Sequence, residues 1–227
     1  MDDRRRQRHM KELRAQIKAC EKCERMNIPG VTQAAPGWGS VDSPVMLVGQ
    51  SLCHDCMESQ IPFTGGSGRL IWASIKRAGI DKPDDVFITN VVHCHPHSEP
   101  VDNRASKPHE IDNCTPYLVR ELDIVKPELV IGLGNDAEKV LRAKHPPAAR
   151  ELSWPFRRPR RIAALPPDLL FVRHPSALLR QRNAAPTEDR EPIEREYVTG
   201  LSRALRWSFD AREKRAERAA EPRKHPA

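Results

Sequence analysis

The chain has 227 residues, enough for one α/β domain with an adequate core, and none of its apolar runs approaches the roughly 18 residues that a membrane-spanning helix needs. It carries 38 Lys and Arg against 31 Asp and Glu, a formal net charge of +7, and its first residues do not resemble a signal peptide. We therefore expect a soluble, cytoplasmic protein without a membrane partner.

The positive charge is concentrated in two clusters, the first 14 residues and a Pro-rich loop at residues 157–161. Clusters of this kind are typical of a polyanion partner, although each is also compatible with a solvated tail or loop. In combination with the cysteine pattern, they favour a nucleic acid.

Short apolar runs bounded by turn residues alternate with helix-period segments, a pattern typical of a parallel sheet covered on both faces. The predicted strands are residues 45–49, 86–92, 128–133 and 169–173. The predicted helices between and after them are residues 68–78, 109–125, 135–142 and 176–181. We predict a three-layer α/β/α fold with right-handed crossovers around a central four-stranded, mostly parallel sheet.

The ends of the chain differ in composition from this middle part. Residues 1–14 are predicted to be a basic tail, and residues 15–186 the folded domain. Residues 187–219 are predicted to be a charged helix that packs on the domain through an apolar stripe, and residues 220–227 a disordered tail. The stripe consists of Ile193, Tyr197, Leu201, Leu205 and Trp207.

Six cysteines can be grouped in two ways. A zinc site made of the pairs Cys20/Cys23 and Cys53/Cys56 fits poorly, because 29 residues separate the pairs where about 15–20 are usual. An iron–sulfur cluster tolerates irregular spacing, so Cys20, Cys23, Cys94 and Cys114 could hold one. Six buried structural thiols remain the alternative.

Four short polar segments lie at or just after the ends of predicted strands or precede a predicted helix. In open α/β sheets ligands bind outside the carboxyl ends of the strands, so these segments should meet at one edge. Each alone is typical of a tight turn, a cap or a structural histidine. The segments are Gly49-Gln50-Ser51, Asn90, Gly65-Gly66-Ser67-Gly68 and His174-Pro175-Ser176.

In order along the chain, these and the neighbouring motifs resemble the family 4 uracil-DNA glycosylases from about Cys20 to Arg180. The motifs are Gly49-Gln50, Ile61-Pro62-Phe63-Thr64-Gly65, Ile88-Thr89-Asn90-Val91-Val92-His93-Cys94, Asn103-Arg104, Glu110, Cys114-Thr115-Pro116-Tyr117-Leu118 and His174-Pro175-Ser176-Ala177-Leu178-Leu179-Arg180. The resemblance implies a uracil-DNA glycosylase-like domain that binds a [4Fe–4S] cluster of structural role through Cys20, Cys23, Cys94 and Cys114.

The resemblance also implies roles for the pocket residues. Phe63 would stack on the extruded base, Asn90 would read it together with Ser51, and His174 would lie near the uracil O2. The segment of Leu178, Leu179 and Arg180 would enter the duplex in place of the lost nucleotide. Further DNA contacts are assigned to Gly66, Ser67 and Ser176.

Excision of uracil from DNA independently requires residues of these types. A base must leave the duplex to be reached, and an aromatic face then recovers part of the lost stacking. A carboxamide offers one acceptor and one donor to the N3–H and O4 of uracil, which cytosine does not match. A neutral histidine donating to O2 stabilises the negative charge that grows on the departing base.

The departure from the family lies after the first strand, where Gln50 replaces a carboxylate that would activate water. A carboxamide can only orient the water, so Asp55 is a second candidate for the catalytic charge. Cys53 and Cys56, in the same loop, are expected to be semi-buried loop residues, with a second metal or replacement of the first pair as alternatives. The basic insertion ending in a histidine, by which related enzymes attach to their product site, is missing, so we expect hydrolytic turnover.

These observations predict a monofunctional uracil-DNA glycosylase of base-excision repair, a monomer associated with the nucleoid, which binds uracil-containing DNA and releases free uracil. The alternatives are a glycosylase for hypoxanthine or xanthine and a catalytically silent iron–sulfur protein that binds DNA.

Overall fold

The computed structural model describes residues 3–97, 103–144, 149–160 and 167–220. Its helices are α1 (Asp3–Lys18), α2 (His54–Ser59), α3 (Arg69–Arg77), α4 (Pro108–Val125), α5 (Asn135–Lys144), α6 (Pro175–Ala184) and α7 (Thr187–Ala220). Its strands are β1 (Val45–Ser51), β2 (Phe87–Val92), β3 (Leu129–Leu133), β4 (Glu151–Leu152) and β5 (Asp168–Val172). Short 3₁₀ turns at Gly66–Gly68 and Pro83–Asp85 precede α3 and β2.

The strands form one sheet in the order β2-β1-β3-β5-β4, and every described pairing is parallel. The four predicted strands are confirmed. The predicted number of strands is wrong, because β4 adds a fifth at the edge. β4 pairs through only two residues, Glu151 with Leu169 and Leu152 with Leu170, and two residues are too few to show a hydrophobic pattern.

Alternate residues of the strands feed two separate cores, which confirms the three layers. From β1, Met46 and Val48 join the core that includes residues of α1, α4 and α5. Val45 and Leu47 join the core that includes residues of α3, α6 and α7. A strand whose two faces are both buried reads as a continuous apolar run, and this is how the four strands appear in the sequence.

The predicted basic tail is a helix instead. In α1, Met10, Leu13 and Ile17 are buried at helical spacing against the first core. Arg14 donates from Nε to the Gly37 carbonyl at 3.2 Å and from Nη2 to a second backbone carbonyl in the same loop. The sequence pattern does not predict this helix, because its few apolar residues form a narrow stripe among many charged ones.

At the other end, α7 packs through the predicted stripe. Tyr197, Leu201, Leu205 and Trp207 are buried in the second core, and Ile193 packs against it. Residues 221–227, most of the predicted disordered tail, lie outside the described residues, as does Arg161. Within the described ranges, none of the helices has an apolar stretch long enough to span a membrane.

Candidate active site

The candidate pocket lies at the carboxyl ends of β1 and β2, where Gly49 and Asn90 are paired neighbours. A Cβ atom on Gly49 would lie 2.3 Å from Oδ1 of Asn90 and 2.5 Å from Cζ of Phe63. Only glycine leaves room for both side chains here. The first glycine of the motif thus lets an amide and an aromatic ring approach the same point of the backbone.

Asn90 presents a free carboxamide. Its residue is 3 % exposed, and among the described residues no group forms a hydrogen bond with its side chain. Neither amide atom is among the fully buried, unpaired polar atoms of the described residues, so the carboxamide is open to solvent and available to a ligand. This favours a polar ligand with a complementary donor and acceptor.

Phe63 is 8 % exposed and has a backbone φ of +63°. The left-handed region is unusual for a bulky side chain, so the surrounding structure must hold it there. Gly68 packs directly on this backbone, since a Cβ on it would lie 1.7 Å from the Phe63 carbonyl oxygen. The ring faces the pocket with its centroid 6.1 Å from that of His174.

His174 caps α6 with its imidazole. Nδ1 accepts the backbone N–H of Ser176 at 3.2 Å and lies 2.8 Å from the Ser176 hydroxyl. Because Nδ1 accepts, the proton of the neutral ring lies on Nε2. Burial, with a smaller effect of the Arg180 charge, lowers the pKa of His174 to about 4. At neutral pH the side chain is therefore an uncharged hydrogen-bond donor.

The two candidates for water activation occupy different positions. Gln50 and Ser51 are half-buried at the end of β1, next to Gly49. Asp55 lies in the first turn of α2 with its side chain 66 % exposed, and its Oδ1 is 3.6 Å from Nδ1 of His54. Gln50 is thus adjacent to Gly49 in β1, whereas Asp55 is largely in solvent.

Cys53 and Cys56 form a disulfide, so neither sulfur is free to bind a metal. The expectation of two loop thiols, like the alternatives of metal ligation, does not describe this structure. Cys53 also caps α2, its sulfur accepting the Cys56 backbone N–H.

The predicted DNA-binding residues differ in exposure. Gly66 has open space beside it, in the 3₁₀ turn that also contains Ser67. In α6, Arg180 is exposed and Leu179 is half-buried. Leu178 is 7 % exposed and belongs to the second core, so it cannot enter a duplex without leaving the core.

Four free thiols gather on the other side of the sheet. Cys94 and Cys114 are buried in the first core, and Cys20 and Cys23 pack against it. Burial raises the pKa of the Cys94 thiol, and the nearby thiols of Cys114, Cys20 and Cys23 raise it further. In the described part of the chain, no group of three or more His, Cys, Asp or Glu is arranged to hold a single metal ion.

A buried polar group that the sequence analysis missed joins this thiol cluster to the pocket strand. Glu121 of α4 accepts hydrogen bonds from the Thr89 hydroxyl at 2.6 Å and the Gly37 backbone N–H at 2.9 Å. His93 Nε2 lies 3.3 Å from the same carboxylate. Burial alone would lower the pKa of His93, but the charge of Glu121 and a hydrogen bond with Cys114 raise it to about 10.

The profile of the Uracil DNA glycosylase superfamily matches residues 36–197. Fold, pocket and match together define the class of protein as a uracil-DNA glycosylase-like enzyme. Several relatives carry the name type-4 uracil-DNA glycosylase. That of Pyrobaculum aerophilum is 33 % identical over 174 residues, 76 % of this chain and 85 % of the relative.

The relative from Sulfurisphaera tokodaii is 33 % identical over 136 residues, 60 % of this chain and 59 % of the relative. That from Archaeoglobus fulgidus is 31 % identical over 126 residues, 56 % of this chain and 60 % of the relative. The chain belongs to the type-4 uracil-DNA glycosylases.

Proposed function

We propose that the chain hydrolyses the N-glycosidic bond of uracil in DNA and releases free uracil, as a monofunctional glycosylase of base-excision repair. The observation that carries this proposal is the approach of Phe63 and the free Asn90 amide to Gly49, opposite a neutral His174. An aromatic face, an amide and a hydrogen-bond donor are what a flipped uracil requires.

Each side chain has a separate task in this reaction. The extruded uracil stacks on Phe63, and the Asn90 carboxamide accepts its N3–H and donates to its O4. Cytosine presents an acceptor and a donor at these positions, so one fixed amide orientation discriminates against it. Asn90→Asp should therefore weaken uracil excision.

The bond-breaking step places negative charge on the uracil ring. His174 donates from Nε2 to O2, where that charge grows, and its neutral state avoids a proton transfer to the base. Gln50 orients the attacking water, since a carboxamide cannot take the proton of that water at neutral pH. Stabilisation of the departing uracil by His174 therefore contributes more to the rate than activation of the water by Gln50.

The four free thiols fit a [4Fe–4S] cluster. Such a cluster binds one thiolate at each of four irons, which spreads the sulfurs around a cube, whereas a zinc ion draws four ligands to about 2.3 Å. Cys94 is close enough to the other three free thiols for them to raise its pKa, which supports a shared site. Cys20, Cys23, Cys94 and Cys114 would hold the cluster, and when bound it would cross-link the segments that carry them.

Iron analysis tests the cluster assignment. The purified protein should be brown and contain about four irons per chain, and Cys114→Ala should bleach it. Cys56→Ser is the matched control, because Cys56 is paired with Cys53 and should leave the iron content unchanged. A colourless protein that contains zinc would exclude the cluster.

An abasic-site assay tests the activity. Duplexes with one central uracil are compared with duplexes carrying thymine, cytosine, hypoxanthine or xanthine at the same position. Uracil should be excised, with thymine and cytosine left intact. If only hypoxanthine or xanthine were excised, the protein would be a glycosylase for that base and not for uracil.

One observation favours a second candidate, a catalytically silent DNA-binding protein: the carboxamide Gln50 in the position next to Gly49. The same assay separates the two. An inactive wild type that Gln50→Glu restores to activity would establish the silent protein.

A further inference from the structure

The backbone that carries the Phe63 ring is held by contacts outside the pocket. Its φ of +63° is unfavourable for a phenylalanine, and the ring cannot keep its place against Gly49 if the backbone relaxes. What fixes this backbone therefore also fixes the surface on which the flipped base would stack.

Trp72, in α3, makes the fixing contact. Its indole Nε1–H donates to the Phe63 carbonyl oxygen at 2.8 Å. The same carbonyl is covered by Gly68, at a distance that excludes a Cβ atom, so it is closed to most of the solvent. Without the indole N–H, this carbonyl would lose a described hydrogen-bond partner in a crowded place.

Trp72 is itself positioned by the strand that carries Asn90. The Trp38 ring meets the Trp72 ring edge to face, with centroids 5.8 Å apart and planes at 79°. Trp38 and Ile88 of β2, two residues before Asn90, exchange two backbone hydrogen bonds. The Ile88 N–H donates to the Trp38 carbonyl at 2.8 Å, and the Trp38 N–H donates to the Ile88 carbonyl at 2.9 Å. A continuous set of contacts thus runs from β2 through Trp38 and Trp72 to Phe63.

We propose that Trp72 is a positioning residue that sets the Phe63 ring at stacking distance from the Asn90 amide, and that it acts through the Phe63 carbonyl. The inference rests on the proposed function, because it assigns to the pocket the capture of a flipped uracil. Trp72 would not touch the base itself. Loss of its N–H lets the Phe63 backbone leave the left-handed region, and the ring then no longer faces the amide.

The test removes the N–H while the ring stays. Benzothienylalanine at position 72 keeps the two-ring shape and has a sulfur in place of the N–H, and Trp72→Phe is the simpler variant. Both should lower the single-turnover rate of uracil excision about fivefold to tenfold, the effect of one buried hydrogen bond. Both should lower the affinity for a duplex with non-cleavable 2′-fluorodeoxyuridine by a similar factor, with the affinity for undamaged duplex unchanged.

Trp154→Phe is the matched control. Trp154 is, like Trp72, a half-buried tryptophan packed against the second core, but it contacts Tyr197 rather than Phe63. It should lower the unfolding temperature about as much as Trp72→Phe and leave excision and uracil-specific binding unaffected.

The outcomes separate this inference from the proposed function. Absence of uracil excision by the wild type would contradict the function itself. An active wild type with a benzothienylalanine variant of equal rate and equal affinity for the fluorinated duplex would overturn the role of Trp72. Equal losses in Trp72→Phe and Trp154→Phe would also overturn it, since a general loss of packing would then be the cause.

Discussion

The protonation of His174 determines how the reaction should respond to pH. The folded-state pKa is about 4, below the usual 6.5 of an unfolded chain. The neutral ring therefore contributes stability that is complete above about pH 6.5 and is lost as the pH falls toward 4. In the folded protein the ring stays neutral down to about pH 4, so that Nδ1 can accept from Ser176 while Nε2 donates to the base.

We expect the single-turnover rate to show no loss from His174 protonation between about pH 8 and pH 5, and to fall as the pH approaches 4. His174→Ala should lower the rate about a hundredfold, as the loss of one oxyanion donor usually does. Affinity for undamaged duplex should change little. A rate that falls with a midpoint near 6.5 would show that the working His174 is not the buried, neutral group.

Gln50 and Asp55 can be ranked by their positions. Gln50 is half-buried beside Gly49, whereas the Asp55 side chain is mostly in solvent. Gln50→Ala should therefore slow single-turnover excision more than Asp55→Asn, and Gln50→Glu should be tolerated or faster because it restores a water-activating carboxylate. The opposite order would indicate that the α2 loop brings Asp55 into the pocket when DNA binds.

The sequence predicts the polar groups of the pocket better than the supports behind them. Asn90 lies near the end of β2 and His174 follows β5, and the carboxyl ends of parallel strands meet at one edge. The left-handed backbone of Phe63 has no such signal, because the residue is not a glycine. Trp72 looks in sequence like an ordinary apolar residue of α3, since its hydrogen bond depends on a loop nine residues away.

At the scale of elements, α6 divides its apolar residues between the core and the surface. Leu178→Ala should destabilise the fold by about 2–4 kcal/mol, because it leaves a cavity in the second core. Leu179→Ala should cost much less stability and slow base capture instead. Chemical denaturation and excision rates of the two variants distinguish these effects.

A Leu178→Ala protein that is fully stable but captures uracil poorly would contradict the assignment of Leu178 to the core.

The helical period of residues 176–181 is visible in sequence. Which of two adjacent leucines is buried is decided by the neighbouring α7, whose Tyr197 donates to the Arg173 carbonyl at 3.0 Å just before α6.

Periodicity predicts four of the five strands and the helices α3 to α7, but it misses α1 and α2. α4 and β3 begin one residue from their predicted starts and end where predicted. α1 was missed because its buried positions are separated by charged residues, and α2 because six residues hold too little of a helical period. The fold class could be predicted correctly because it depends on the alternation of the four longer strands with the helices between them.

At the scale of the whole molecule, the basic clusters and the pocket occupy different ends of the sheet. Arg150, paired with Asp168 at the start of β5, donates to the Arg160 carbonyl. In α1, Arg6 is paired with Asp42, just before β1. Both clusters are therefore attached near the amino ends of the strands, whereas Gly49 and Asn90 lie at the carboxyl ends.

The position of the charges predicts which of them contact DNA while a base occupies the pocket. Arg180 is exposed on α6 and close enough to lower the pKa of His174. Arg180→Gln should weaken binding to a uracil duplex and reduce the slope of log K against log salt by about 0.9, the value for one phosphate contact. This assigns the phosphate contact to a single residue at the pocket edge.

The comparison is the double variant Arg157→Gln/Arg158→Gln, which removes two charges from the distant loop. It should leave the slope nearly unchanged, since ions at more than a Debye length of about 8–10 Å are screened. The double variant loses two positive charges, so at low salt it should attract DNA less strongly over long range. Its association rate should therefore be slower at low salt. If the double variant flattened the slope and Arg180→Gln did not, DNA would have to cross the amino ends of the strands, and Phe63, Asn90 and His174 could not be the residues that receive the base.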